Sequence, residues 1–342
     1  MDKESYIRNA KKSISIKLIK DMLPKMKKLR VLAIGDTIID DYIFVRTKGR
    51  AVKDPIMSTE YIRKETYAGG VLIAANHMSD FVDEITCVTL LGEQNTMENF
   101  VKAQMKHNVR MRQFIKKGAP TTIKQRIIDN YRNNKLFKIE YIDDSPISVV
   151  LSNEIVNYLK QELPKYDIVM VLDYGHGFIN HEIRRTLEKY SNFLAVNAQS
   201  NSSNMGFNYF THYKRADFAT MDKQELRLAM QMRFENLDEV IALAAEHTGI
   251  QKFIVTTGQD GCVFHSHGEL HKAPILTDKV TDTVGAGDAL FAITIPFIYC
   301  GADKEIVPFI ANCAGGIAVN IMGNKEAISS EQLLLFAEEA LK

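Results

Sequence analysis

A glycine-rich string toward the C-terminal end of the chain closes on an aspartate at a predicted helix start. It reads DTVGAGD (282–288) and leads into an apolar helical pattern. Small residues leave backbone N–H groups uncovered at a helix N-terminus, where the helix dipole favours an anion. Asp288 could accept a hydroxyl proton there, while the backbone at Gly285, Ala286 and Gly287 binds a phosphoryl group in transfer. The alternative is that Asp288 only stabilises the helix N-terminus.

Two further acids follow the first predicted strand, in the segment GDTIID (35–40). The carboxylates of Asp36 and Asp40 are of the type that accepts paired hydrogen bonds from the neighbouring hydroxyls of a sugar. Two acids four apart at the end of a strand could therefore accept hydrogen bonds from a vicinal diol. Turn formation and helix capping are the alternative roles for the same residue types.

The elements that must position these residues alternate regularly along the chain. Short β-type runs recur between amphipathic helical patterns, which predicts a mostly parallel sheet covered by helices. The predicted strands cover 30–34, 86–91, 167–172, 193–197, 216–220 and 253–257. The predicted helices cover 97–107, 151–162, 180–190, 223–231, 236–248, 287–298, 304–321 and 330–341.

Two segments, 41–66 and 111–142, do not follow this alternation. Their β-branched and aromatic residues alternate with charges, which predicts extended hairpins with one face in water or against a ligand. We expect them to pair into a small sheet that forms a lid beside the main sheet. Residues 1–28 precede the first core strand and are predicted to form a helical extension of a domain spanning 29–342.

The ten residues from 282 to 291 resemble the DTxGAGD signature of the ribokinase-like, or PfkB, carbohydrate kinases, and the similarity extends over nearly all of 30–330. The resemblance implies a ribokinase-like α/β fold, with a mostly parallel central sheet, flanking helices and a β-sheet lid. It also implies ATP as co-substrate and Mg²⁺ as metal. A monovalent cation near Asp282 is a further expectation.

The resemblance extends to residues on the nucleotide side. Asn197 and the segment DKQE (222–225) look like the family's phosphate-side Asn and its NxxE motif. They imply contacts from Asn197, Asp222 and Glu225 to phosphate and Mg²⁺, which prefers oxygen ligands. Asp222 and Glu225 could equally form a helix capping box. VTTGQDG (255–261) and a later Asn resemble the segments beneath the phosphates and beside the adenine, which implies nucleotide contacts from Thr256, Gly258, Gly261 and Asn312.

On the substrate side, GDTIID (35–40) looks like the family's GDxxxD segment, which implies that Asp36 and Asp40 bind sugar hydroxyls. Other residues resemble one branch of that family. Gly69 and Gly70 look like the glycine pair whose amides approach the sugar, and TTIKQR (121–126) is similar to a strand of the heptose-phosphate kinases. Lys124 and Arg126 share one strand face, where they could bind a phosphate already on the sugar. The first expected substrate is D-glycero-D-manno-heptose 7-phosphate, phosphorylated to the 1,7-bisphosphate.

Two alternatives to this function stay open. One is a kinase for another sugar or sugar phosphate, of the ribose or fructose type. The other is a nucleotide-binding regulator without catalysis. The chain departs from the family pattern at Ile73, where many members have Asn, and at His176, where Lys is usual; His176 is predicted to have no catalytic role.

Composition limits the partners. Lys and Arg number 43 against 42 for Asp and Glu, so the overall field predicts neither nucleic acid nor membrane binding. The four cysteines are widely separated, which predicts reduced thiols in the cytoplasm.

The first strand lacks a following GxGxxG and the chain has no Walker A string, which argues against a dinucleotide-binding Rossmann enzyme and a P-loop enzyme. The family resemblance implies a homodimer through the lid, which the molar mass in solution would test.

Overall fold

Strands and helices alternate along most of the chain. A computed structural model describes residues 3–204 and 206–342. The strands are β1 (Arg30–Arg50), β2 (Met57–Gly70), β3 (Glu84–Gln94), β4 (Val109–Pro120), β5 (Ile123–Asp129), β6 (Asn134–Tyr141), β7 (Ile168–Asp173), β8 (Leu194–Ala198), β9 (Phe218–Asp222), β10 (Lys252–Thr256), β11 (Cys262–Ser266) and β12 (Glu269–Ala273).

The α-helices are α1 (Lys3–Ser13), α2 (Ile16–Met26), α3 (Val71–Ser79), α4 (Glu98–Gln104), α5 (Val149–Glu162), α6 (His181–Tyr190), α7 (Lys223–Met230), α8 (Leu237–Thr248), α9 (Ala286–Tyr299), α10 (Ile306–Ala318) and α11 (Ser330–Ala340). Short 3₁₀ helices span Leu163–Lys165, Phe210–His212 and Gly258–Asp260.

The core is one sheet with the strand order β12-β11-β10-β9-β8-β7-β1-β3-β4. Its strands from β10 to β4 run parallel, and β11 and β12 form an antiparallel edge. Every residue of the central strand β7 is buried, because helices cover both faces of the sheet. One apolar layer includes α3, α9, α10 and α11, and the other includes α5, α6 and α8. The predicted mostly parallel sheet flanked by helices is confirmed.

The long strand β1 belongs to two sheets. Its first residues lie between β3 and β7 in the core, and from Thr37 onward it pairs antiparallel with β2 and parallel with β5. The strand β6 completes the second sheet by pairing with β5. This second sheet, formed by β2, the outer half of β1, β5 and β6, is called the lid below. Because β1 passes from the core into the lid, it carries Asp40 to the junction of the two.

The predicted boundary of the second lid segment requires a correction. Residues 111–120 belong to β4, which pairs parallel with β3 at the edge of the core sheet, so this part of the lid begins only at Ile123. An edge strand has one unpaired side in contact with water, and its charged residues alternate with buried ones such as Phe114. Such an edge strand therefore has the same sequence pattern as a lid strand.

The outer side of the lid exposes large apolar side chains. Tyr61 of β2 and Phe137 and Tyr141 of β6 are each about half exposed or more. An apolar surface of this kind is typical of a protein interface. The homodimer through the lid stays a prediction.

The two N-terminal helices pack on the core. Ser15 caps α2 by accepting a hydrogen bond from the Leu18 N–H at 3.2 Å. Ile19 and Met26 of α2 are fully buried in the apolar layer that contains α9 and α11. Residues 3–28 therefore cover one face of the core instead of projecting from it.

No helix in residues 3–204 and 206–342 has the length and apolar character needed to cross a membrane. All four cysteines are unpaired thiols, and Cys87, Cys262 and Cys313 are buried. A cytoplasmic location stays a prediction.

Candidate active site

A cleft of about 930 Å³ lies between the core sheet and the lid. Strand ends of the core, the lid and the start of α9 contribute to its wall, as expected for a ligand site in an open α/β sheet. The cleft brings together most residues predicted from sequence: Asp40, Gly70, Lys124, Arg126, Asn197, Asp222, Glu225, Thr256, Gly258, Gly261, Gly285, Ala286, Gly287, Asp288 and Asn312. Asp36, Gly69 and Asp282 do not line it.

Asp288 lies in the first turn of α9 and is buried. Its Oδ1 accepts hydrogen bonds from the Tyr174 hydroxyl at 2.7 Å and from Gln199 Nε2 at 3.1 Å. Burial raises the pKa of Asp288 to about 6, and the charge of Asp40 also raises it. The carboxylate is therefore ionised at neutral pH but more basic than an ordinary aspartate, as a general base requires.

The loop before α9 leads into the helix through a glycine of positive φ. Gly285 has φ +82° and begins the helix, whose first N–H groups have no acceptor within the helix. A Cβ on Gly285 would lie 2.0 Å from Asn324 Oδ1, whereas a Cβ on Gly287 would meet nothing within 4 Å. The backbone of this loop is therefore open on the cleft side beside Asp288.

Asp40 is buried where β1 enters the lid. Its Oδ1 forms a close ion pair with Arg126 Nη1, and its Oδ2 accepts a hydrogen bond from Asn324 Nδ2 at 3.1 Å. Gly69 is required for this packing, because a Cβ there would lie 2.3 Å from Asp40 Oδ2. Gly70, with φ +58°, begins α3 and lines the cleft. Arg126, predicted to contact phosphate, thus has a carboxylate partner within the protein.

Asp36 lies beside the cleft but does not line it. It is buried outside the cleft lining, and its Oδ2 accepts a hydrogen bond from the Tyr174 N–H at 2.9 Å. Burial raises the pKa of Asp36 to about 7, and the nearby charge of Asp173 raises it further. In the structure the Asp36 carboxyl group holds the segment that carries Tyr174, and its sugar-binding role stays a prediction.

Asp222 and Glu225 lie at the start of α7 and form a capping box. Asp222 Oδ1 accepts from the backbone N–H groups of Gln224 and Glu225, and Glu225 Oε2 accepts from the Asp222 N–H at 2.8 Å. The other oxygen, Glu225 Oε1, accepts from the Ser200 N–H at 2.9 Å. Burial, together with the charge of Asp222, raises the pKa of Glu225 to about 8.

The other residues predicted to contact the nucleotide also line the cleft. Asn197 Nδ2 donates to Thr220 Oγ1 at 2.9 Å, and its Oδ1 accepts from Gln199 Nε2 at 2.9 Å. Thr256 ends β10, and Gly258 and Gly261 both adopt positive φ in the turn to β11. Asn312 of α10 braces the end of β12, since its Nδ2 donates to the Ala273 carbonyl at 3.1 Å. The side-chain amide of Asn312 is therefore engaged with the protein backbone.

Asp282, predicted to bind a metal ion, is surrounded by donors of the protein itself. Its Oδ1 accepts from Lys135 Nζ at 2.5 Å and the Val284 N–H at 3.2 Å, and its Oδ2 accepts from the Tyr42 hydroxyl at 2.8 Å and the Gly323 N–H at 3.0 Å. These donors occupy both oxygens, so the carboxylate does not suit a metal ion. Across residues 3–204 and 206–342 no group of three or more His, Cys, Asp or Glu side chains could hold a metal.

The two positions that depart from the family pattern are both buried. Ile73 is a buried residue of α3 and does not line the cleft. His176 is buried near Tyr174, and neither ring nitrogen has a hydrogen-bond partner in the part of the chain described. Burial lowers the pKa of His176 to about 3, and Lys124 lowers it further, so the ring is neutral. Its predicted lack of a catalytic role stays a prediction.

Three further polar residues of the cleft contact predicted acids and are not among the predicted site residues: Tyr174, Gln199 and Asn324. The first two hold Asp288, and Asn324 holds Asp40. Asn324 contacts Asp40 across 284 positions of the chain, so no local pattern could have predicted it. Tyr174 and Gln199 each lie just beyond a core strand, a position that signals a site residue in a parallel sheet.

Comparisons with known proteins identify the family of this chain. Residues 28–330 match the model described as pfkB family carbohydrate kinase. The "Bifunctional protein HldE" of Helicobacter pylori (strain Shi470) is 24% identical over 315 residues, covering 90% of this chain and 66% of that protein. The match therefore spans slightly less than two thirds of that relative's length.

Solved structures show the same fold. Arabidopsis thaliana ribokinase complexed with ribose and ATP has a TM-score of 0.67 at 16% identity, covering 91% of this chain and 99% of that one. Phosphofructokinase-2 from Escherichia coli in complex with potassium has a TM-score of 0.71 at 13% identity, covering 92% and 100%. The ribokinase-like architecture is thereby confirmed.

Proposed function

Because the chain belongs to the pfkB family of carbohydrate kinases, we propose that it phosphorylates D-glycero-D-manno-heptose 7-phosphate with ATP to give the 1,7-bisphosphate. The observation that carries the kinase chemistry is Asp288, buried beside the glycine loop with Tyr174 and Gln199 holding its carboxylate. The observation that favours a sugar phosphate is a cluster of donors around Lys124, described below.

Asp288 is proposed to act as the general base. It accepts the proton of the sugar hydroxyl as that oxygen forms a bond to the γ-phosphorus of ATP and the bond from phosphorus to the ADP oxygen breaks. The backbone N–H groups at Gly285, Ala286 and Gly287 stabilise the negative charge on the transferred group. Tyr174 and Gln199 keep the Asp288 carboxylate in one orientation, and Asp40 accepts hydrogen bonds from other hydroxyls of the sugar.

Asp222 and Glu225 are proposed to hold Mg²⁺ together with the phosphates of ATP. Oxygen ligands suit this ion, and Asp222 Oδ2 accepts no hydrogen bond from the described residues. Burial and then the charge of Asp222 raise the pKa of Glu225, and a bound cation would offset the repulsion between the two carboxylates. When bound, the ion would neutralise charge on the phosphate oxygens. Asn197, Thr256, Gly258, Gly261 and Asn312 are proposed to line the nucleotide side.

The donors near Lys124 support a phosphate on the sugar. Lys124 Nζ and Lys138 Nζ lie 3.9 and 2.9 Å from Glu140 Oε1. Ser202 and Ser203 donate to Glu140 Oε2 at 3.5 and 3.2 Å. Two ammonium groups and two hydroxyls around one anionic group are the donors that a phosphate requires, and a substrate phosphate would compete with Glu140 for them.

The substrate proposal is tested by ADP release from a panel of phosphorylated and free heptoses, hexoses and pentoses. We expect the highest kcat/KM on heptose 7-phosphate. Lys124→Met should raise its KM roughly tenfold or more, since a hydrogen bond to a charged group is lost, and should affect free heptose much less. The matched control is Lys48→Met, which removes a lid lysine whose partner is the exposed Glu60.

Two outcomes would contradict this proposal in different ways. ATP binding without turnover of any sugar would favour the regulator that lacks catalysis. Equal loss on phosphorylated and free heptose in Lys124→Met would remove Lys124 from phosphate recognition and favour a kinase for another sugar.

The pH dependence of turnover should report Asp288. The base works only when deprotonated, so kcat/KM should fall as the pH drops through about 6, the pKa of Asp288. Tyr174→Phe removes a hydrogen bond that favours the charged carboxylate, so this pKa should rise and the acidic limb should move up by about one pH unit. The measurement is the pH profile of kcat/KM.

Tyr213→Phe is the matched control for this profile. Its hydroxyl donates to Asp173 Oδ2 at 2.9 Å, another buried tyrosine–aspartate pair, and neither residue lines the cleft. The acidic limb should stay in place in Tyr213→Phe. An unmoved limb in Tyr174→Phe would show that the Tyr174 hydroxyl does not tune the base.

A further inference from the structure

Asp282 joins the lid to the loop that precedes α9. Two of its four hydrogen-bond donors are lid side chains, the Tyr42 hydroxyl from β1 and Lys135 Nζ from the start of β6. A third donor is the Val284 N–H, next to Gly285. The fourth is the Gly323 N–H, adjacent to Asn324.

The charge balance at Asp282 depends on Lys135. The Asp282 side chain is only 1% exposed, so its charge would be costly without a cation. Lys135 is the one basic side chain that forms an ion pair with it among residues 3–204 and 206–342. Burial alone would raise the pKa of Asp282, but the Lys135 ammonium, the Tyr42 hydroxyl and the Val284 N–H hold it below its usual range. The family resemblance predicted a metal cation near this carboxylate, and in the structure the Lys135 ammonium contacts it.

The position of this ion pair gives it a consequence for the reaction. Asp282 starts the segment 282–287, whose backbone is proposed above to bind the transferred group. The Val284 N–H joins this turn to the Asp282 carboxylate. If the Asp282 charge were uncompensated, the carboxylate would move toward water and take the turn with it. Loss of about 1 Å of positioning in such a loop lowers a rate by roughly a hundredfold.

We propose that Lys135 is a positioning residue of the lid whose ammonium holds the 282–287 loop through Asp282, in the place of a monovalent metal cation. The loop is then ordered without K⁺, and the ion pair between Lys135 and Asp282 connects the lid to the loop before α9. This inference goes beyond the proposed function, because it depends on the kinase family and on no particular sugar.

Hydrogen exchange of the backbone amides in 283–290 tests the proposal without any substrate. It is measured on the whole chain in choline, Na⁺ and K⁺ chloride at equal ionic strength. The wild type should show the same protection in all three salts. Lys135→Gln should exchange roughly ten- to a hundredfold faster in choline, as expected for loss of a hydrogen bond to a charged group, and K⁺ should restore part of the protection. Lys135→Arg should retain it.

Lys64→Gln is the matched control. Lys64 Nζ pairs with the buried carboxylate of Asp41 at 2.6 Å, so it is also a lid lysine on a buried acid, but its partner lies outside the cleft lining. It should leave exchange in 283–290 unchanged. Wild-type protection that increases about tenfold on adding K⁺ would overturn the proposal, and so would wild-type protection in Lys135→Gln. If Lys135→Gln does not fold, the salt response of the wild type still decides.

Discussion

Replacing Asp288 by asparagine is expected to lower kcat by about 10³-fold, within the range that a general base contributes, while the Kd for ATP changes by no more than about threefold. The asparagine is isosteric and its carbonyl oxygen can still accept from Tyr174 and Gln199, but it cannot take the hydroxyl proton. Steady-state kinetics with the best sugar and equilibrium titration with ATP measure the two quantities separately.

The control for this variant is Asp41→Asn, which neutralises another buried acid of the chain. Asp41 pairs with Lys64 in the lid and does not line the cleft, so kcat should remain near that of the wild type. Near-wild-type kcat in Asp288→Asn would remove Asp288 as the base. A matching loss of ATP affinity would instead indicate a damaged nucleotide site.

The central sheet could be predicted because its strands have a simple pattern. A strand buried on both faces, such as β7 (Ile168–Asp173), must be apolar at nearly every position, and the helices that cover it have apolar residues at helical spacing. The start of α9 could be predicted for a related reason, since its glycines, Asp288 and the apolar run after it are contiguous in the chain. Both features depend on residues that are close in sequence.

The parts of the site that could not be predicted depend on contacts between distant residues. Asn324 and Asp40 are 284 positions apart, and Lys135 and Asp282 are 147 positions apart. No local spacing predicts such a pair. The sequence pattern therefore indicated that Asp282 is an acid beside the glycine loop, but not that an ammonium from the lid already compensates its charge.

Asp36 and Asp40 show the same limit within one segment. Both were predicted to bind sugar because they are four apart after a strand. In the structure β1 continues from the core into the lid, so Asp40 faces the cleft while Asp36 turns to the backbone of Tyr174. No local pattern in the sequence marks the residue at which a strand leaves one sheet and joins another.

Gly285→Ala is expected to have the second-largest effect, because it strains the backbone and displaces a site residue. Gly285 has φ +82°, which costs an alanine about 1–2 kcal/mol. The added Cβ would lie 2.0 Å from Asn324 Oδ1, so Asn324 must move and release its hydrogen bond to Asp40. Displacement of the anion loop should lower kcat roughly a hundredfold, and loss of the Asn324 contact should raise the KM for sugar. Steady-state kinetics and thermal unfolding measure these effects.

Gly301→Ala separates the two causes in Gly285→Ala. Gly301 has a similar φ of +77°, a Cβ there would meet nothing within 4 Å, and the residue follows the far end of α9. It should therefore lose comparable stability from backbone strain and keep its kcat. If both variants lose stability and neither loses activity, the Gly285 loop does not bind the transferred group. If only Gly285→Ala loses activity, the contact among Gly285, Asn324 and Asp40 joins the anion site to the sugar side of the cleft.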